Sequence, residues 1–166
     1  MYNEVPVIGN QYNFGDWAKY AIHDEKYVKG FFGEYRWLSN FHYCDIWFEG
    51  LKYNCSENAY QASKIVVEER KQFTNCPPAK SKKLWKKCNL LYTIEGFDEI
   101  KIEVMTSILF DKFYRNLDIR KKLLDTGDKL LEETNHWKDQ FWGVDINLGG
   151  KNHLGKILMK IREFWK

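Results

Sequence analysis

The sequence predicts a single, mostly helical domain with one small antiparallel strand element. Three observations carry that expectation. Apolar residues recur at helical spacing along two stretches, about residues 98–114 and 154–165. A short run of strand formers doubles back across Glu49-Gly50. No internal repeat and no linker divides the 166 residues, a length that suits one core.

Composition narrows the classes. Hydrophobic residues make up 44% and aromatics 17%, which excludes general disorder. A net charge of +3 is too mild for a duplex-binding protein, although a local patch can still hold phosphates. Cys44, Cys55, Cys76 and Cys88 form no Cys-x-x-Cys pair, and no His pair stands at zinc-finger spacing. They read as free thiols in a reducing compartment. The N-terminus lacks a basic region followed by an apolar run, and no apolar stretch reaches the ~20 residues that span a bilayer. The expectation is a soluble, cytoplasmic protein with no membrane partner, no metal and no cofactor.

Taken in order, residues 1–30 spread Tyr2, Tyr12, Phe14, Trp17, Tyr20 and Tyr27 among polar residues. They read as an N-terminal extension on a domain of residues 31–166, either packed on it as a strand and short helix or lying over a pocket. Phe31 and Phe32 begin an expected strand that ends at Gly33. Asn40, in Leu38-Ser39-Asn40-Phe41, either closes a turn by bonding nearby backbone or presents its amide to a ligand hydroxyl. Cys44 to Phe48 and Leu51 to Tyr53 are the two arms of the hairpin. Pro77-Pro78 breaks the chain ahead of a helix bearing Lys80, Lys82, Lys83, Lys86 and Lys87, whose default reading is a solvated face. Asn89 to Gly96 reads as a connector.

In the long helix, Ile100, Val104 and Ile108 make one ridge and Met105, Leu109 and Phe113 its neighbour. Asp118 is expected to cap a shorter helix, with Gly127 beyond its end where φ > 0 is wanted. Lys129 to Thr134 suits a strand in which the consecutive Glu132 and Glu133 point to opposite faces. A polar, aromatic loop with Asp139, Trp142, Gly143 and Asp145 leads through Gly149-Gly150 to Asn152. There, either the backbone N–H groups meet phosphate or Asn152 caps the last helix and the glycines make the turn. No Walker or Rossmann fingerprint accompanies those glycines.

The stretch Ser56-Glu57-Asn58-Ala59-Tyr60-Gln61-Ala62-Ser63-Lys64 opens a helix, with Ser56 as the expected N-cap and Glu57 in the dipole-favoured first turn. Glu57, Gln61 and Lys64 share one face: a carboxylate, an amide and an ammonium in a row. The plain alternative is a solvated polar stripe.

Five motifs in order resemble the NADAR family, also called YbiA-like: Leu38 to Phe41, Ser56 to Lys64, Lys112-Phe113, Asp139 to Gly143, and Gly150-Lys151-Asn152-His153-Leu154-Gly155 with Met159 to Arg162. The resemblance runs from about Phe31 to Glu163. It implies an α+β, largely helical single domain. It also implies hydrolysis of N-glycosidic bonds in phosphoribosylamino-pyrimidine intermediates of riboflavin synthesis, or removal of ADP-ribose from guanine bases. Matched to the family's motifs, Glu57, Glu132 and Asp139 are the expected catalytic carboxylates. Asn40, Gln61, Lys64, Trp142, Gly143, Gly150 and Asn152 are the expected substrate contacts. The implied partner is a nucleotide-like small molecule or an ADP-ribosylated base in nucleic acid. A non-catalytic module for ADP-ribose or a related nucleotide is the alternative. Two residues around His136 and Trp137 are added relative to the family pattern, Phe97 stands where a Trp is usual, and residues 1–30 have no recognised counterpart.

Overall fold

The computed structural model describes residues 21–166. They form a mostly helical α+β domain. In chain order the elements are β1 (Ile22–His23), β2 (Tyr27–Lys29), a 3-10 helix (Gly33–Leu38), β3 (Ile46–Phe48), β4 (Leu51–Tyr53), α1 (Ser56–Ala62) and a second 3-10 helix (Val67–Phe73). Then follow α2 (Pro78–Tyr92), α3 (Phe97–Arg115), α4 (Leu117–Asp125), β5 (Leu130–Glu132), β6 (Thr134–Asn135), β7 (Val144–Asp145) and α5 (His153–Trp165). Among the described residues no helix is long and apolar enough to cross a membrane.

The expected hairpin is present. β3 and β4 pair antiparallel, and Glu49 and Gly50 both take positive φ, as a tight two-residue turn requires. Two parallel pairings join it. β2 lies between β1 and β5, antiparallel to the first and parallel to the second, and β6 runs parallel to β7. Residues 22–29 are thus a small hairpin built into the domain through β5. The remaining aromatics of the N-terminal extension, Tyr2, Tyr12, Phe14, Trp17 and Tyr20, lie outside the described residues.

Helix α3 is the central post, packed against the β3–β4 hairpin, α1 and α5. Met105, Ile108, Leu109 and Phe113 are buried along it. The ridge expected at its start is incomplete, because Ile100 stands 41% exposed. Helix α5 buries Leu154, Ile157, Leu158 and Ile161 and so closes the core as its spacing predicts.

Several boundaries differ from the sequence reading for local reasons. The strand expected at Phe31 is β2, four residues earlier. Gly30, at φ +79°, ends it, and Phe31 and Phe32 turn into the 3-10 helix. Ser56 is not the cap of α1; Cys55 holds that position, and the Ser56 hydroxyl is buried without a partner. The first-turn N–H of Glu57 is met instead by the Asn40 carbonyl, at 2.9 Å. Helix α2 continues to Tyr92, through half of the expected connector, and is tied down where Val66 N–H donates to the Tyr92 carbonyl. Asn116, not Asp118, caps α4.

The last element is anchored by close approach. A Cβ on Gly155 would collide with the Leu131 carbonyl and the Asn152 side chain, so α5 can lie this near β5 only with glycine there. Gly155→Ala is therefore expected to cost about 1–3 kcal/mol, the usual range for overpacking. Thermal unfolding should show the midpoint falling by several degrees, and an unchanged midpoint would mean that α5 has slack.

Candidate active site

All seven residues of α1 are buried. Its polar side chains therefore have to satisfy one another or a ligand. Gln61 Nε2 donates to Glu57 Oε1 at 2.8 Å, and Lys64 Nζ donates to Gln61 Oε1 at 2.9 Å. The carboxylate, amide and ammonium thus form a continuous row, inside the protein and not along a solvated stripe. Lys64 Nζ also lies 4.6 Å from the centre of the Tyr60 ring and 4.4 Å from that of Trp85. Burial there pulls its pKa down to about 8. From α2, Lys82 Nζ approaches Glu57 Oε1 at 3.8 Å.

This row lies along a cavity of about 660 Å³. The cavity is also lined by Arg36, Asn40 and Phe41, by Trp85 and Lys86 of α2, and by Glu133, His136, Trp137, Asp139 and Trp142. Asn40 does both of the things open to it. Its backbone carbonyl caps α1, while its side chain lines the cavity with Nδ2 3.6 Å from Met105 Sδ and with Oδ1 buried and, among the described residues, unpartnered. The turn is fixed locally by Ser39 Oγ, which accepts Phe41 N–H, and from behind by Lys112. The Lys112 Nζ, fully buried on α3, donates to the Ser39 carbonyl at 3.0 Å.

The structure separates the expected site residues into two groups. Glu57, Gln61, Lys64, Asn40, Asp139 and Trp142 gather along the cavity. Glu132, Gly143, Gly150 and Asn152 do not line it. Glu132 lies opposite Lys29 in the β2–β5 register and pairs with its ammonium at 3.4 Å. Its neighbour Glu133 takes the other face and reaches the cavity, where Oε2 is buried with no hydrogen-bond partner among the described residues. Alternation predicted that the two would diverge; which one faced inward depended on a strand pairing invisible in the sequence. Gly143 and Gly150 are packing glycines, since a Cβ on either would collide with backbone of the neighbouring loop. Asn152 is a clamp: its amide donates to the Leu131 carbonyl at 2.9 Å and accepts Glu133 N–H at 3.1 Å, so it sets the position of Glu133. It marks the start of α5 with φ +51°, without a side-chain capping bond. Asp139 accepts the N–H groups of Phe141 and Trp142 through Oδ1, at 3.0 and 2.9 Å, and so shapes the loop that carries Trp142. Trp142 stands edge-on to Tyr60, 5.4 Å between ring centres, as a wall of the cavity.

Electrostatically the two glutamates differ. Burial pushes the Glu133 carboxyl up to about 8, against the opposing pull of Arg36 and with Asp139 adding to the rise. At neutral pH it therefore holds its proton. Glu57 has an amide donor and a nearby ammonium on one oxygen. A neutral carboxyl and a carboxylate facing one cavity can respectively give a proton and stabilise a developing positive charge.

The NADAR domain family matches residues 26–165, and the chain belongs to that family. It is 34% identical to an N-glycosidase of Nostoc punctiforme over 134 residues, 78% of this chain and 85% of that protein. The N-glycosidase YbiA of Escherichia coli is 30% identical over 134 residues, covering 78% and 81%. A riboflavin biosynthesis protein of Vibrio vulnificus is 37% identical over 128 residues, but that match spans 76% of this chain and only 34% of the longer protein. The solution structure of Escherichia coli YbiA superposes with a TM-score of 0.74 at 25% identity, over 87% of this chain and 88% of that one. Hydrolysis of a glycosidic bond is the enzyme class these relatives define. The match also begins inside residues 1–30, at Lys26 in the small N-terminal hairpin, so part of that segment has a family counterpart after all.

The Glu133 carboxyl generates a stability prediction. Its folded pKa of about 8 lies above its ordinary 4.5. Below pH 4 both folded and unfolded chains hold the proton, so the group contributes nothing. Between about 4.5 and 8 the unfolded chain releases it and the folded chain does not, so stability falls as pH rises. Glu133→Gln removes that loss. The melting temperature of the variant should draw ahead of wild type from pH 5 to pH 8 and the gap should then level off. A constant gap across that range would contradict a neutral buried carboxyl.

Proposed function

We propose that this chain is an N-glycosyl hydrolase. It cleaves the bond between C1 of a ribose and a nitrogen of a departing base, in a ribose-phosphate or ADP-ribose conjugate. The candidate substrates are a phosphoribosylamino-pyrimidine of riboflavin synthesis and an ADP-ribosylated guanine in nucleic acid. The observation that carries the reading is the presence, on the wall of one cavity, of Glu57, held in a buried hydrogen-bonded row, and a protonated Glu133. A cytoplasmic setting suits the four free cysteines.

The arrangement supports the following roles. As the C1–N bond breaks, its electron pair goes to nitrogen and Glu133 donates a proton to the departing base. Positive charge develops on the ribosyl centre, and the Glu57 carboxylate stabilises it. Water adds to C1, and its proton passes to Glu57 or Asp139. The unpartnered Asn40 Oδ1 accepts from a ribose hydroxyl. Lys64, Lys82, Lys86 and Arg36, all on the cavity wall, are suited to phosphate. Trp142 walls the base from water. A module that only binds ADP-ribose has no use for Glu57, Glu133 and Asp139 beside the phosphates, which favours the enzyme.

Turnover of both candidate substrates, followed by mass spectrometry, tests the central carboxylate. Glu57→Gln should lower kcat by roughly 100-fold or more, the scale of a positioned charge. Activity within a few-fold of wild type would remove Glu57 from the mechanism. Absence of turnover by wild type, with tight ADP-ribose binding, would support the binding module.

The pH profile tests the acid. Wild-type kcat/KM should fall as pH rises through about 8, where Glu133 gives up its proton, and Glu133→Gln should be slow and lack that limb. Lys64 titrates in the same range, so Lys64→Met is the comparison. A basic limb that survives in Glu133→Gln and vanishes in Lys64→Met would reassign it to the ammonium.

A further inference from the structure

The loop around His136 and Trp137 lines the cavity, and the way the loop is held suggests its use. Asn135, buried at its base, closes the loop from inside: Nδ2 donates to the Asp139 carbonyl at 2.8 Å and Oδ1 accepts Asp139 N–H at 3.0 Å. Asp145, also buried, accepts Lys138 N–H at 2.9 Å, and Lys138 is held in the left-handed region at φ +64°. A non-glycine residue stays there only where its surroundings fix it. Between these anchors Trp137 lines the cavity and remains 47% exposed. It is not part of the hydrophobic core, and the His136 ring supports it edge-on with ring centres 4.9 Å apart. A firmly anchored loop that keeps an indole half in water at a ligand cavity is poor packing but a good platform for another flat ring. Lys82 and Lys86 line the same cavity and supply positive charge for phosphates between that ring and the ribose.

We propose that Trp137 is a specificity-determining residue whose indole stacks on an outer nucleobase of the substrate. The preferred substrate is then dinucleotide-like: a nucleoside joined through phosphates to the ribose whose glycosidic bond is cleaved. The proposal rests on the hydrolase reading of the cavity and selects, within it, an ADP-ribosyl conjugate over a single ribose phosphate.

Calorimetric titration with two probes, ADP-ribose and ribose 5-phosphate, tests it on wild type, Trp137→Ala and Trp137→Phe. Loss of a base–aromatic stack should weaken ADP-ribose binding roughly 5- to 150-fold in Trp137→Ala. Ribose 5-phosphate should stay within about twofold, and Trp137→Phe should keep most of the ADP-ribose affinity. Equal weakening of both probes, no weakening of either, or a wild type that binds ADP-ribose no tighter than ribose 5-phosphate would overturn it. Failure of the hydrolase reading is separately visible: stacking measured here with no turnover of any conjugate leaves Trp137 in its role and removes the reaction.

Discussion

A helix with no solvent face dominates this protein. Every residue of α1 is buried, yet four of the seven, Ser56, Glu57, Asn58 and Gln61, are polar. Water cannot satisfy them, so the surrounding fold must. The Asn40 turn supplies a carbonyl to the first turn. Asn58 binds the Asn54 side chain and the Cys76 carbonyl, both at 2.6 Å, which ties the hairpin exit to the segment before α2. Among the described residues, the side chains of Glu57 and Gln61 have each other, Lys64, the more distant Lys82 and the cavity. The position of α2, the shape of the Ser39–Phe41 turn and the existence of the cavity all follow from burying this short polar helix.

The second constraint is the placement of Glu133. Nothing in its own short segment would hold a carboxyl against a cavity wall. Asn152 does so from α5, by bonding Glu133 N–H and the Leu131 carbonyl together, and Gly155 lets the helix come close enough. Residues from distant parts of the sequence thereby bring two carboxyl groups to the wall of one cavity. Burial that costs stability at neutral pH is what keeps Glu133 in the acid form.

Legibility in the sequence followed the strength of the local signal. The α3 and α5 periodicities, the Glu49-Gly50 hairpin and the shared face of Glu57, Gln61 and Lys64 all depend on spacing, and spacing is visible. The parallel pairings of β2 with β5 and of β6 with β7 join strands of two or three residues, too short to carry any alternation. Missing them hid that Glu133, not Glu132, lines the cavity, and that Gly143, Gly150 and Asn152 lie outside its lining. Arg36, Lys82 and Trp85 reach the cavity from elements whose neighbours no local pattern reveals. The lysine-rich helix shows the limit well. Its solvated face is real, since Lys80, Lys83 and Lys87 are exposed; Lys82 and Lys86, exposed as well, also line the cavity with Trp85.

Hydrolysis at the ribose carbon is the central claim, and isotopic labelling reads it most directly. Turnover of an ADP-ribosylated guanosine or a phosphoribosylamino-pyrimidine would be run in water enriched in oxygen-18, with sugar and base products separated and weighed. C1–N cleavage by water places one heavy oxygen on the ribose product before it exchanges and none on the base. Heavy oxygen on the base or on a phosphate, with an unlabelled ribose from the earliest time points, would contradict it.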